Sequence, residues 1–359
     1  MELIKKSDQE EVFWKHWDAL VLCTSAGPRY MQSAIRNFIE MSESRKLLQA
    51  DESVIVLQDN EPVGAAFLPI EEKDGVRSIS FSGRHTMAPL FTSDFARKEL
   101  MSYIDEVARA EKVAKVMFVI DPLLHASYPY NFLLAHDYLD DSFLTYLIDL
   151  TPQGDLLRHC RRGHRSDIKT VLKDPDYERF TVDNAHPDYD LHEEYRELHR
   201  IDAGRVTRSK DSFDSQYKKL TDGNAILCGV RYKDKVIAYA YYEMFGDKAI
   251  YASAAADPEM SHLPLYHILM WSAMEYFQKN NVKWIDVGQP ANPSAQFGYI
   301  PDDKMKNIAR FKRGFGGTFA NESRGVKYYN RELFLNETEA FRDSYIKVIE
   351  KNNHVQEKE

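Results

Sequence analysis

Three runs of strand length stand almost end to end between Ala225 and Ala255. They are Ala225–Tyr232, Val236–Phe245 and Lys248–Ala255, parted only by Lys233-Asp234 and Gly246-Asp247. A two-residue turn can join antiparallel neighbours, whereas parallel strands need a crossover of a dozen residues or more. The chain is therefore committed to an antiparallel meander here. Pro264–Lys279 follows and is apolar nearly all round, which reads as a buried helix with Ser261 as its cap and Pro264 in its first turn. Val282–Val287 then reads as a short strand. Any fold for this chain must place one helix and one further strand against the meander.

A comparable order runs through the N-terminal part. Helical stripes cover residues 8–20, through Phe13, Trp14 and Trp17, and 28–48, through Tyr30, Ile35, Phe38 and Ile39. Ser53–Leu57 and Val63–Pro69 read as strands around the turn Asp59-Asn60-Glu61, and Arg77–Ser82 as another. Phe95–Lys112 reads as a helix, Val113–Ile120 as a strand ended by Asp121-Pro122, and Ser142–Leu150 as a strand. Helices at 190–202 and 209–221 precede the meander. This is α/β or α+β organisation. Element order repeats roughly between residues 8–150 and 190–320, as a duplicated domain would leave it. A length of 359 residues also exceeds one typical core, so two domains are expected, 1–151 and 152–359.

The formal net charge of −9 gives no global attraction to nucleic acid. Cys23, Cys160 and Cys228 are far apart and odd in number, so no disulfide framework or paired metal spacing is visible. They fit a reducing compartment, and no metal is expected. The first 17 residues hold no apolar run of signal-peptide length, and no 18-residue apolar stretch occurs anywhere. The expected location is the cytoplasm, with no membrane span.

One local concentration of positive charge opposes the acidic whole. In residues 152–173, Leu157, Cys160, His164, Ile168, Val171 and Leu172 follow a helical stripe. Arg158, Arg161, Arg162, Arg165, Lys169 and Lys173 outnumber Asp155 and Asp167. Such a helix can grip a phosphate or carboxylate, or can be a solvated connector that ion-pairs with the acidic remainder.

A second anomaly lies after the strand Val282–Val287. A loop, Gly288–Ile300, carries Gln289, Asn292, Ser294, Gln296 and Tyr299 and is expected to face a cleft. A helix follows, with Pro301 in its first position, Asp302 and Asp303 in its first turn, Arg310 to Arg313 in its last and Gly314 as its stop. Met305, Ile308 and Ala309 mark its expected buried stripe. Lys312 falls on that stripe, seven residues after Met305 and four after Ile308. A buried ammonium is costly unless something anionic meets it, though a lysine can also pack its stem and free its head. Asp286, at the carboxyl end of the strand, is either a ligand residue or a loop cap.

The segment Ala309-Arg310-Phe311-Lys312-Arg313-Gly314-Phe315-Gly316-Gly317, preceded by Ile285-Asp286-Val287-Gly288, resembles the C-terminal signature of the FemAB-like aminoacyltransferases and FemAB-type acyltransferases. Arg161-Arg162-Gly163-His164-Arg165 through Ile168-Lys169 is similar to that family's basic helix. The resemblance implies tandem GNAT-like (acyl-CoA N-acyltransferase) domains joined by a basic helix, with a terminal helix, 337–352, that can pack back on the first. It implies transfer of an acyl or aminoacyl group to an amine, with Lys312 at the reacting carbonyl. Asp286 then stands beside it as a second catalytic candidate. Phe311, Arg161, Arg162, Arg165, Gln289, Asn292, Tyr299 and Arg313 are the candidates for substrate binding. The acceptor is expected to be a nucleotide-linked or lipid-linked amine of a cell-surface precursor, such as an amino sugar or a peptidoglycan peptide.

The donor stays open between acyl-CoA and aminoacyl-tRNA. GNAT proteins that use acyl-CoA carry a glycine-rich basic loop where Asp257-Pro258-Glu259-Met260-Ser261-His262-Leu263-Pro264 stands, and this stretch has no glycine, lysine or arginine. The stretch between Leu191 and Leu220 has room for two short helices only, not for the coiled-coil arm of tRNA-binding relatives. Together with the acidic charge, this favours an acyl-thioester or a small aminoacyl donor. His262, Asp257 and Glu243 are acid/base candidates on position alone. The competing reading is a non-catalytic GNAT-fold module that binds a carbohydrate or nucleotide. A polar cleft with Lys312 salt-bridged to a protein carboxylate is expected of that module, and Lys312 free at the end of a tunnel is expected of the enzyme.

Overall fold

The computed structural model describes residues 2–124, 130–152, 155–288 and 302–356. The expected meander forms as Ala225–Tyr232, Lys235–Phe245 and Lys248–Ala256. Its first turn places Lys233 and Asp234 at φ +49° and +65°, the left-handed pair whose twist matches a two-residue hairpin. These strands sit in a seven-stranded sheet in the order Tyr177–Val182, Ala225–Tyr232, Lys235–Phe245, Lys248–Ala256, Trp284–Asp286, Phe143–Asp149, Gly317–Glu322. Trp284–Asp286 runs parallel to Lys248–Ala256, and the remaining neighbours in this sheet are antiparallel.

Helices cover both faces of this sheet. On one side Leu265–Lys279 buries nine residues, among them Ile268, Met270, Trp271 and Phe277, in keeping with its apolar circumference. Pro264, not Ser261, occupies its N-cap position, because Ser261 closes the 3-10 turn Pro258–Met260. On the other side Tyr189–Ala203 and Lys210–Thr221 enclose Tyr195, Phe213, Leu220, Tyr239 and Tyr241.

The N-terminal half builds two further sheets. One pairs Glu2–Lys5, Val54–Gln58, Glu61–Ala66 and Leu90–Phe91, with Glu10–Cys23 and Gln32–Ser44 packed on it. The other has the order Leu139–Asp140, Arg324–Tyr328, Lys115–Val119, Val76–Ile79, Pro69–Lys73, Leu48–Asp51. Asp94–Ala110 lies over the core that these two sheets share.

Strands cross between the halves in both directions. Phe143–Asp149, before the expected boundary at residue 151, pairs between Trp284–Asp286 and Gly317–Glu322. Its Tyr146 and Ile148, with Leu150, pack into the core under Leu265–Lys279. Each such buried side chain contributes about 1.5–3 kcal/mol, which anchors the strand there. Arg324–Tyr328 returns to the first half and pairs with Lys115–Val119. The helix Arg331–Gln356 then starts on that strand, where Glu337 accepts from Lys115 Nζ at 2.7 Å and from Tyr328 Oη at 2.6 Å. Gly317–Glu322 and Arg324–Tyr328 are strands that the sequence pattern left unassigned.

The basic connector is not one helix. Leu156–His159 is a 3-10 turn started by the Asp155 carboxylate, Cys160 is extended, and the helix proper is Arg162–Lys173. The break lets the Arg161 N–H donate to the Gly314 carbonyl at 2.7 Å, so the connector is stitched to the distant FKRGFGG segment. Among the described residues no helix is long and apolar enough to cross a membrane.

Candidate functional site

The site grows from the end of the strand Trp284–Asp286. Asp286 is 1% exposed. Its Oδ1 accepts from Thr145 Oγ1 at 2.5 Å and from the Gly288 N–H at 2.9 Å. The second bond is a local side-chain turn, and it holds the peptide between Val287 and Gly288 in one orientation. Gly288 at φ +67° supplies the left-handed residue that this turn requires. The Val287 carbonyl is thereby aimed at Lys312, whose Nζ donates to it.

Lys312 is half-buried and lies 5.0 Å from the centroid of the Tyr251 ring. Burial pushes its pKa down to about 8, while the nearby Asp286 carboxylate pulls it up. Among the described residues no carboxylate comes within 4 Å of its ammonium. The group is charged at neutral pH and spends one of its three N–H donors on a backbone carbonyl.

The helix carrying Lys312, Asp303–Lys312, differs from expectation along its length. Asp302 is its N-cap and accepts from the Met305 N–H at 2.7 Å. Met305 and Ile308 are 41% and 38% exposed, and only Ala309 of the expected stripe is buried. Spacing correctly put these residues on one face, but a face is buried only where another element covers it. The left-handed stop is Gly316, at φ +78°, after the 3-10 turn Arg313–Phe315.

Gly314 has a different reason to be glycine. A Cβ there would lie 2.0 Å from His164 Nε2. His164 cannot retreat, being 2% exposed with that nitrogen 2.8 Å from the Phe311 carbonyl. A carbonyl only accepts, so Nε2 carries the proton and Nδ1 accepts from Arg161 Nη2 at 3.2 Å. Burial lowers the His164 pKa, which fits this neutral tautomer. Phe311 packs against His267 at 4.9 Å and Phe315 at 5.1 Å. Much of the FKRGFGG pattern therefore clamps the Lys312 helix onto the connector.

The basic residues divide by surroundings. Arg161 is bonded to His164, and Arg165 Nη1 donates to the Arg158 and Cys160 carbonyls at 3.1 and 3.0 Å. Arg162 is exposed, and among the described residues it makes no ion pair. The Arg313 guanidinium sits 5.9 Å from the Phe319 ring centroid. Gln289, Asn292 and Tyr299 lie outside the described residues.

The acid/base candidates chosen on position are otherwise engaged. Glu243 pairs at 2.8 Å with Lys219, which is 2% exposed. Asp257 caps the turn Pro258–Met260 and pairs with Lys235 at 2.8 Å, a bond that holds its carboxyl below the usual range. His262 is exposed.

Sequence reasoning missed the partners of Asp286. Its Oδ2 accepts from Arg29 Nη2 at 3.1 Å, and Arg29 Nη1 donates to Glu322 Oε1, also at 3.1 Å. Glu322 also pairs with Arg324. The one available signal for Arg29 was a charge inside a stretch, Pro28 to Met31, whose other residues are all buried. Thr145, Tyr251 and Glu322 carry no sequence signal of their own. Among the described residues no group of three His, Cys, Asp or Glu side chains could hold a metal ion.

Residues 158–299 match the family described as the acetyltransferase (GNAT) domain. No curated protein matches the sequence. Among solved structures, FemX superposes with a TM-score of 0.67 at 16% identity, covering 93% of this chain and 99% of that one. The C-terminal domain of a putative lysylphosphatidylglycerol synthetase from Agrobacterium fabrum gives 0.56 at 14% identity, covering 89% and 92%. L-PGS from Bacillus licheniformis gives 0.53 at 11% identity, covering 87% and 96%. Residues 158–299 therefore resemble a GNAT acetyltransferase domain, and the chain as a whole shares the fold of FemX.

Proposed function

We propose that the protein transfers an acyl or aminoacyl group from an activated ester or thioester to an amine of a cell-envelope precursor, with Lys312 stabilising the developing oxyanion. The observation that carries this reading is the Lys312 ammonium. It is half-buried, charged at neutral pH and, among the described residues, not neutralised by a carboxylate. Attack of an amine on the carbonyl carbon moves an electron pair onto the carbonyl oxygen. A fixed cation beside that oxygen lowers the barrier, because it interacts more strongly with the oxyanion than with the ground-state carbonyl. The absence of a salt bridge favours this reading over a binding module, in which a protein carboxylate would hold the lysine.

The likeness to FemX and to lysylphosphatidylglycerol synthetases supports a peptidoglycan-linked, nucleotide-linked or lipid-linked acceptor. The start of the helix Leu265–Lys279 is a poor seat for a pyrophosphate. Asp257 and Glu259 stand before it, and Lys235 is already paired with Asp257. A donor with its phosphates elsewhere, either an acyl-thioester or a small aminoacyl ester, fits better. Arg162 is the arginine of the connector best placed to meet an anionic acceptor, so Arg162→Gln raises the acceptor's KM and leaves the melting temperature unchanged.

Mass spectrometry tests the reading. Acyl-CoA and aminoacyl-tRNA donors are incubated with nucleotide-linked amino sugars, peptidoglycan peptides and aminoacylatable lipids. A donor-dependent mass gain on the amine, lost in Lys312→Met, is expected. A mass gain that survives in Lys312→Met removes Lys312 from the chemistry.

A further inference from the structure

Two short 3-10 turns of the N-terminal half reach the large sheet. Pro28–Tyr30 touches Lys235–Phe245 and Lys248–Ala256, and Pro122–Leu124 touches Trp284–Asp286 and Gly317–Glu322. The first turn carries Arg29, and Asp121 stands immediately before the second. Arg29 thus enters the second half from outside it, and its fork spans two carboxylates on two different strands, Asp286 and Glu322.

The geometry points to Arg29 as a positioning residue of the Lys312 site: by bridging Asp286 and Glu322 it fixes the turn that aims the Val287 carbonyl, and it limits how much negative charge reaches the ammonium. This inference rests on the reading of Lys312 as the group that meets the reacting carbonyl. The links are contiguous. Arg29 holds Oδ2 of Asp286, Oδ1 holds the Gly288 N–H, and the peptide so oriented presents its carbonyl to Lys312 Nζ. A planar fork suits this task, since one guanidinium can bind two carboxylates in fixed directions and an ammonium cannot.

The charges around the chain are few enough to follow. Lys312 faces Asp286 from Trp284–Asp286 and the neutral Tyr251 from Lys248–Ala256. Arg29 feels Glu322, Asp121 and Asp286, all of which favour its charged form against burial. Glu322 has a second partner in Arg324, on the strand that returns to the first half. Lys248, which also feels Asp121, spends its ammonium on the Ser25 carbonyl. Asp121 is 1% exposed, and among the described residues its Oδ2 has no hydrogen-bond partner. The cluster is therefore one network across the junction, and it ends at Lys312.

The test reads the titration of Lys312 directly and needs no turnover. The full-length protein is labelled with a trace of acetic anhydride across a pH series, and modification at Lys312 is followed by mass spectrometry. The wild-type midpoint is expected near pH 8. Arg29→Met removes a positive charge and leaves Asp286 its bonds to Thr145 and Gly288, so the midpoint rises by about half a unit or more. Glu322→Gln removes a negative charge and leaves Arg29 to Asp286, so the midpoint falls. Arg29→Lys keeps the charge but cannot bridge, so the midpoint stays near wild type while kcat drops. Opposite shifts in the first two variants support the inference. Unmoved midpoints in both, with lower melting temperatures, overturn it and leave Arg29 a plain clamp. An active Lys312→Met with shifted midpoints sinks the reading of Lys312 but leaves the network standing, so the two failures are distinguishable.

Discussion

Each half of the molecule contains a helix followed by a strand with Ile-Asp at its carboxyl end, just past the strand in the first half and within it in the second. In the first half Asp94–Ala110 leads to Lys115–Val119 and then Ile120-Asp121-Pro122. In the second, Leu265–Lys279 leads to Trp284–Asp286 and then Val287-Gly288. Both carboxylates are 1% exposed and both lie near Arg29. Their surroundings differ. Asp286 takes three hydrogen bonds, from Thr145, Gly288 and Arg29. Among the described residues Asp121 takes one, from the Leu123 N–H at 2.9 Å, and its other oxygen has no partner. Burial pushes the Asp121 pKa up, against the pull of Arg29. Pro122 locks the first strand end into a 3-10 turn, while Gly288 lets the second turn back toward Lys312. A duplicated frame thus supplies two equivalent carboxylates. What makes one of them part of a site is the set of groups brought to it from elsewhere: Thr145 on the exchanged strand, Arg29 from the first half and Lys312 from its clamped helix.

Substitutions at the two strand ends sharpen this contrast. The largest change in stability is expected of Asp286→Asn, which leaves the half-buried Arg29 guanidinium short of a carboxylate and leaves a buried polar group in its place. It should cost about 3 kcal/mol in denaturant unfolding. It should also lower the Lys312 midpoint further, since Asp286 is the group that raises it. Gly288→Ala comes next. The left-handed backbone penalises a Cβ by about 1–2 kcal/mol, and activity should fall as the Val287 carbonyl shifts. A Gly288→Ala variant as stable and as active as wild type would show that the turn is not what aims the lysine.

The smallest effect, of opposite sign, is expected at Asp121. A carboxyl whose folded-state pKa is raised binds its proton more readily folded than unfolded. Its contribution is favourable at low pH and is lost as pH rises through the folded pKa. Asp121→Asn should therefore be as stable as wild type or more so at neutral pH, by up to about 1 kcal/mol. The gain should vanish in acid. A loss of stability at neutral pH comparable to that of Asp286→Asn would erase the distinction between the two strand ends.

The legible parts of the sequence were those whose physics is local. Alternation and two-residue turns fixed the meander, and the apolar circumference of 265–279 marked it as buried. Lys312 was visible as a charge on an apolar spacing, and the resemblance around FKRGFGG gave it a role. The exchanged strands were not legible, because the partners of Phe143–Asp149 lie more than 130 residues away in the chain. Met305 and Ile308 show the same limit, since periodicity names a face and not its cover. Arg29 was missed for a related reason: its carboxylates, Asp286 and Glu322, are distant in sequence and signalled nothing near it. Gly314 was read as a helix stop, yet its need is the His164 ring, which no local pattern reveals.

The central claim is that Lys312 meets the charge that develops in the transition state. Lys312→Met keeps the stem and removes the ammonium, and its kcat is the most direct measurement. The expected fall is about 10²–10³, with KM little changed. Lys312→Arg should rescue it poorly, because a planar fork does not replace a compact ammonium. The melting temperature at neutral pH should not drop. A lysine whose pKa is lowered on folding costs stability while charged, and that cost disappears with the ammonium. Wild-type turnover in Lys312→Met, with any melting temperature, would contradict the account.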